Sequence, residues 1–357
     1  MSGSRFYALD ALRGLAIALM ILVNTPGSWQ HVYQPLLHAQ WDGFTFADIV
    51  FPAFLFVVGG AMFYSLRRTK PDADTFIRIA RRSALLVLIG ILLNWFPFTN
   101  ALTELRLPGV LQRIGLCYGI AAVLVLLLKR RYLPWLVITL LVLYWLLLQL
   151  GSAQPYSLES NLVRQVDLYL LGANHLYQGF GVAFDPEGVL STLPAVTSVL
   201  LGYYVAWQLS ERNVRAGAIW LLNAGLLLLL LAWLCSQFWP LNKALWSGSY
   251  VLLSAGLLLC VLAALVWLCD IKGRQEWLQP LVTYGTNPLF IYILSWLWAV
   301  TLGLIPVADS NLYQLLFSLL AQCLQAKLAS LVFALLHVVL FWWLSRLLYR
   351  RNIIIRL

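Results

Sequence analysis

Charge is scarce in this sequence. Only 11% of the 357 residues are Asp, Glu, Lys or Arg, where a soluble domain carries about a quarter. Acidic residues are the scarcer sign, 14 against 24 basic ones, which leaves a net charge of +10. The basic residues sit in short connections between apolar runs rather than on one stripe, which argues against nucleic acid as a partner. Cysteine is also sparse. Cys117, Cys235, Cys260, Cys269 and Cys323 form no CxxC pair and have no His at ligand spacing, so they are read as small buried hydrophobes and no metal is expected. There is no glycine-rich phosphate loop, no HExxH and no nucleophile elbow. A Ser–His–Asp arrangement would have to use Ser28, which has no such elbow around it. No internal repeat is visible, which weakens a transporter reading.

What the sequence has is apolar length. Hydrophobic residues make up 62% of it, and mean hydropathy is +0.82. Runs of about 20 apolar residues recur from end to end, each long enough to cross a bilayer. The first is followed at once by a second with no small-residue cleavage site between them, so it is read as a span and not as a cleaved leader. The pattern predicts one all-α, polytopic helical bundle over residues 1–357, without an appended soluble domain. Its spans fall near 7–24, 46–66, 83–98, 109–128, 133–150, 189–209, 216–235, 248–268, 283–303 and 326–346, and 310–325 reads as an interfacial helix.

Charge then sorts the connections. Nineteen basic residues gather on one side: Arg5 and Arg13, the cluster from Arg67 to Arg82, Lys129–Arg131, Arg212 and Arg215, Lys272 and Arg274, and Arg346 to Arg356. Only Arg106, Arg113, Arg164, Lys243 and Lys327 fall on the other. By the positive-inside rule the first side is cytoplasmic, both termini included. The long loops 25–45, 151–188, 236–247 and 304–325 then face outward, and loops of that length are more often functional than structural.

Ionisable groups beside apolar spans are costly to desolvate and therefore draw attention. Asp10 and Arg13 share a helix face at i,i+3, either as a capping ion pair or as an entrance for a phosphate. Asn24 ends the first helix. His38 lies in LLHAQWDGFTFADIVFP, with Trp41 and Asp42 following, as a satisfied polar group or as a catalytic base. Asp48 stands in the first turn of the next helix, as a dipole partner or as an acid orienting an imidazole. Gln112 and Arg113 open the fourth span, where Arg113 snorkels or pairs with Asp48 or a loop carboxylate. His175, Asp185 and Glu187 lie in HLYQG and FDPEG, where two carboxylates flanking a proline are solvated or receive sugar hydroxyls. Asn242 and Lys243 fall in PLNKALWS. Asn287, before Pro288, is placed in mid-span, where a buried amide needs a partner.

Six of these stretches together, LDALRGLAIALMILVN, HAQWDGFTFADIVFPAFLFVVG, GVLQRIGLCY, FDPEGVLSTLPA, PLNKALWSGSY and GTNPLFIY, resemble the heparan-α-glucosaminide N-acetyltransferase family. Its bacterial members are often labelled NagX-like. The likeness runs over nearly the whole chain and implies that these residues correspond to the transmembrane core, without the lumenal domain that precedes it in the lysosomal member. It implies a membrane acetyltransferase that takes acetyl-CoA from the cytoplasm and delivers acetyl to a glucosamine amine on the far side of a bacterial inner membrane, with free glucosamine, a short oligomer or a cell-wall fragment as acceptor. The family's active-site histidine matches His38 and its neighbouring asparagine matches Asn24; beside them Asp48 is expected to set the imidazole tautomer or to help hold the amine. Donor contacts are then expected from Arg13, Arg67, Arg68, Arg82, Gln112 and Arg113. Acceptor contacts are expected from Trp41, Asp42, His175, Asp185, Glu187, Asn242, Lys243 and Asn287. Direct transfer and an acetyl-histidine intermediate both fit, as does a homodimer. The reading from a different class is an N-acetylglucosamine uptake permease.

Overall fold

A computed structural model describes residues 7–355, so Arg5 and Arg356 lie outside the described residues. In chain order the helices are α1 (Tyr7–Asn24), α2 (Val50–Leu66), α3 (Ala73–Trp95), α4 (Val110–Leu127), α5 (Leu133–Gly151), α6 (Leu162–Leu171) and α7 (Thr192–Ser210). They continue with α8 (Val214–Ser236), α9 (Gly248–Val266), α10 (Gln275–Tyr284), α11 (Pro288–Leu304), α12 (Leu312–Cys323) and α13 (Ala326–Arg350). Among the described residues the strands are β1 (Pro306–Val307) and β2 (Ser310–Asn311), which pair as an antiparallel hairpin. The chain is an all-α, multi-pass membrane protein.

A helix covers each of the ten expected spans. Seven are long and apolar enough to cross a membrane, and the bent pair α10–α11 makes an eighth. Two of the expected ten, α3 and α7, fall outside that set. Asp72 caps α3 by accepting the Thr75 N–H, so the helix starts ten residues earlier than its apolar run and carries Arg78, Arg81 and Arg82 on its first turns. The expected helix 283–303 is broken. Pro288 has no N–H and cannot continue the hydrogen-bond ladder of α10, and α11 leaves at 61°.

The residues fall into two compact units. One takes the chain up to His38, Thr45–Phe54, and everything from Ala264 on; the other takes Ala39–Phe44 and Leu55–Ala263. In the first, α1 packs against α10 and α13. A Cβ at Gly14 would fall 1.7 Å from the Leu281 carbonyl oxygen, so only glycine lets these backbones touch. In the second, α2 and α7 cross in the same way, with a Cβ at Gly59 falling 1.9 Å from the Val199 oxygen and one at Gly202 falling 1.8 Å from the Phe56 oxygen. Within a bilayer, where lipid is as apolar as leucine, such small-residue contacts supply much of the helix-to-helix attraction.

Candidate active site

In the first unit, a short turn holds His38. Thr45 caps the 3-10 turn Phe46–Ile49: its side chain accepts the Asp48 N–H, and its own N–H donates to Asp48 Oδ2 at 2.9 Å. The Thr45 hydroxyl donates to the Leu37 carbonyl at 2.6 Å. One residue therefore fixes both the backbone before His38 and the carboxylate that meets it. Asp48 is fully buried, and its Oδ1 lies 2.8 Å from His38 Nδ1. A carboxylate only accepts, so Nδ1 carries the proton. The His38 side chain is 45% exposed. A ring oriented by a buried acid is an arrangement that proton transfer requires. Asn24 ends α1 as an exposed residue, and its amide makes no hydrogen bond to another described residue.

The same unit holds Asp10, Arg13 and Asn287. Arg13 donates to Asp10 (2.6 Å) and to the Gly285 carbonyl (2.5 Å), so it caps the C-terminal end of α10. Asn287 sits in the α10–α11 break rather than within a continuous span. Its amide donates to the Ile353 carbonyl at 3.0 Å and accepts the Ile355 N–H at 2.7 Å, which clamps the segment after α13. Neither sequence expectation, donor contact for Arg13 or acceptor contact for Asn287, is needed to explain these bonds. His31, which the sequence reading passed over, lies 3.2 Å from the Ser28 hydroxyl. His337 is buried, donating from Nδ1 to Phe333 (2.9 Å) and accepting the Trp298 N–H at Nε2 (3.3 Å). It is a satisfied core residue.

The second unit contains a polar network. Arg106 forms a two-pronged pair with Asp185 (2.8 Å and 2.8 Å) and also reaches Glu187 (2.7 Å). Burial pushes the Asp185 carboxyl up despite Arg106. Burial opposes ionisation of Glu187 too, but Arg106, Arg113 and Lys243 outweigh it and hold its carboxyl below the usual range. These carboxylates are thus occupied within the protein rather than solvated. His175 Nδ1 donates to the Leu105 carbonyl at 2.7 Å and pins the segment before Arg106. Arg113 is fully buried; it does not snorkel and forms no ion pair among the described residues. It donates to the Gly188 carbonyl (3.0 Å) and to the Ser191 hydroxyl, and lies over the Trp246 ring at 5.2 Å. Trp246 takes the left-handed φ of 53° to lie there. Gln112 fills the space left by Gly90 and donates to the Leu107 carbonyl.

Asp167, on α6 and outside the span-length helices, escaped the sequence reading. Burial pushes its carboxyl up to about 6. One oxygen accepts the Val189 N–H at 2.8 Å, and the other has no hydrogen-bond partner. A lone acidic residue in an amphipathic stretch gives no signal of burial; the contact with Gly188, where a Cβ would fall 1.8 Å from the carboxylate, exists only in three dimensions.

Two further groupings lie in this unit. Asn242 is buried and donates to Asp42 at 3.0 Å, and Trp41 donates to the Tyr156 carbonyl at 2.8 Å. Separately, Arg67, Lys129, Arg130 and Arg131 line a cleft of about 480 Å³ with Thr69, Tyr203 and Trp207. Arg68 is exposed and Arg82 lies over the Tyr118 ring; neither lines that cleft.

A histidine oriented by a buried carboxylate recurs in unrelated enzymes, so the chemistry alone does not place the chain. Residues 5–237 match the family model described as heparan-alpha-glucosaminide N-acetyltransferase, catalytic. The chain belongs to the heparan-α-glucosaminide N-acetyltransferase family. It is 30% identical over 353 residues to the mouse heparan-alpha-glucosaminide N-acetyltransferase, covering 82% of this chain and 53% of that protein. The human one is 30% identical over 350 residues, covering 81% and 52%. The chain spans about half the length of these curated relatives. The family match includes His38, Asp48, Arg106, Arg113, Asp185 and Glu187, while Asn242, Lys243 and Asn287 lie beyond its last matched residue.

Proposed function

We propose that this protein is a membrane acetyltransferase that moves acetyl from acetyl-CoA to the amine of glucosamine or a glucosamine-containing sugar. The observation that carries the reading is the His38 ring oriented through Nδ1 by buried Asp48, with its side chain still 45% exposed. The acceptor's amine arrives as the free base, having lost its extra proton to water. It attacks the thioester carbonyl, Nε2 takes the remaining ammonium proton, and the C–S bond breaks as that proton passes to the departing thiolate. Asp48 steadies the imidazolium. Asn24, at the end of α1, supplies an amide N–H to the carbonyl oxygen as it gains charge, a contribution of about 3–4 kcal/mol in comparable sites.

The basic cleft around Arg67 takes the phosphorylated end of CoA, because four cations with Tyr203 and Trp207 suit a charged nucleotide. By the positive-inside rule that end is cytoplasmic and both termini lie on the same side, in a bacterial inner membrane. Charge reversal at Arg67 and Arg68 weakens acetyl-CoA binding more than sugar binding.

The deciding assay uses purified protein in detergent, where no compartments exist. Glucosamine and acetyl-CoA should yield N-acetylglucosamine and free CoA thiol. Uptake of labelled N-acetylglucosamine into proteoliposomes without acetyl-CoA, and no acetylation in detergent, would establish the permease reading instead. A strong signal from a periplasm-specific reporter fused to the C-terminus would reverse the sidedness.

A further inference from the structure

Three cations at one end of the first unit have no anion to meet. Lys272, Arg274 and Arg346 are exposed, and among the described residues none of them pairs with a carboxylate, although Asp270 and Glu276 are close in sequence. Each lies instead over an indole: Lys272 over Trp267 at 5.2 Å, Arg274 over Trp277 at 5.5 Å and Arg346 over Trp342 at 5.2 Å. The backbone builds this face. After α9 the chain turns back on itself, with the Lys272 N–H donating to the Trp267 carbonyl at 2.9 Å and the Arg274 N–H to the Leu268 carbonyl at 3.0 Å. Gly273 between them takes the left-handed φ of 67° that such a turn requires. The Trp342 indole donates to the Pro280 carbonyl at 3.1 Å and the Gln279 amide to the Tyr349 hydroxyl at 3.4 Å, which brings the end of α13 to α10. Trp267 and Trp277 are 50% and 67% exposed, and their N–H groups have no acceptor among the described residues.

We propose that this face binds the headgroup of an anionic phospholipid through Lys272, Arg274 and Arg346, with Trp267 and Trp277 against the ester groups. The three cations and both indoles only donate, so their ligand must bring acceptors and negative charge. A lipid phosphodiester brings both, and charge-assisted bonds to it are roughly twice as strong as neutral ones. The exposed indoles decide between a lipid and a soluble phosphate. Tryptophan beside a span settles where hydrocarbon gives way to headgroups, ring in the apolar layer and N–H toward the polar one. A soluble anion would use the cations and leave both rings in water. An uncharged lipid would leave the cations unmatched.

The test titrates the full chain in nonionic detergent with dioleoyl phosphatidylglycerol or dioleoyl phosphatidylcholine and reads the thermal midpoint. Phosphatidylglycerol should raise the midpoint of the unaltered protein clearly more than phosphatidylcholine does. Lys272→Gln/Arg274→Gln/Arg346→Gln should need about tenfold or more phosphatidylglycerol for half of that rise, because each cation beside an anionic headgroup adds several-fold to the affinity. Lys70→Gln/Arg81→Gln/Arg215→Gln removes the same charge from the second unit and should respond as the unaltered protein does. Lys272→Gln/Arg274→Gln, confined to the exposed turn, is the second variant in case the loss of Arg346 loosens α13; it should need about fivefold more lipid. Glycerol phosphate, which has no acyl chains, should leave every midpoint unchanged. No preference for phosphatidylglycerol in the unaltered protein overturns the proposal, as does an unchanged response of the folded turn variant. An equal rise with glycerol phosphate would make the ligand a soluble anion, and an equal loss in the second-unit variant would reduce the effect to net charge; either result overturns the lipid site.

Discussion

His38 and Arg106 are both cations or potential cations beside apolar helices, and each meets a buried aspartate at 2.8 Å. They are finished differently. Asp48 occupies one edge of the His38 ring and leaves the side chain 45% exposed. Arg106 spends its guanidinium on Asp185 and Glu187 and lies over Tyr177 at 4.9 Å. An ion pair closed on itself ties segments together; a ring oriented by a carboxylate and still half-exposed is the arrangement proposed above for proton transfer. Sequence spacing cannot separate the two, because both begin as a charged residue near an apolar run.

The sharpest test of that contrast is His38→Ala. It should lower the rate of acetyl transfer by about 10²–10⁴-fold if the imidazole is a general base, while fold and acetyl-CoA binding persist. Raising the pH should partly restore the variant, because hydroxide then takes the proton that Nε2 would have taken; a missing acetyl carrier would not be restored. Asp48→Asn should fall within about tenfold of the same defect, since an amide nitrogen placed against Nδ1 favours the other tautomer. Equal activity of Asp48→Asn and wild type would reduce the pair to a structural contact.

Arg106→Ala should act on stability instead. Leaving Asp185 buried without its partner costs about 3–5 kcal/mol, read as a lowered thermal midpoint in detergent. A variant that melts normally but loses turnover would erase the distinction drawn here. The smallest effect belongs to Asp167. Its carboxyl is raised from 3.8 to about 6 in the fold, so the native state binds the proton more tightly than the unfolded chain. Its contribution to stability is therefore best near pH 4, weakens as pH rises to about 6, and is level above that. Asp167→Asn should melt higher than wild type at pH 7, by at most about 2–3 kcal/mol, and the gain should vanish near pH 4.

Much of the fold is legible because it follows from local composition. A run of apolar residues in α8 or α13 must be a helix in lipid, since no other segment satisfies its own backbone there. The break at Pro288 was also present in the sequence, but reading GTNP as mid-span hid it. The start of α3 was missed because its first turns are basic and a hydropathy reading ends where charge begins, whereas Asp72 caps a helix that does not need to be apolar. At the site, the ten-residue spacing of His38 and Asp48 admitted an imidazole–carboxylate pair but also a dipole partner, and the Thr45 turn brings them together. The partner of Asp185 lies 79 positions away in Arg106, beyond the range of any periodicity.

Composition and pattern alone determined that this protein is helical and multi-pass, and where its basic residues collect, because bilayer thickness and desolvation act on each segment separately. Which charges cancel inside the protein and which glycines let helices touch were decided only by tertiary structure. Hydrogen bonds and close contacts reach a few ångströms, and it takes the folded chain to bring distant residues within that reach.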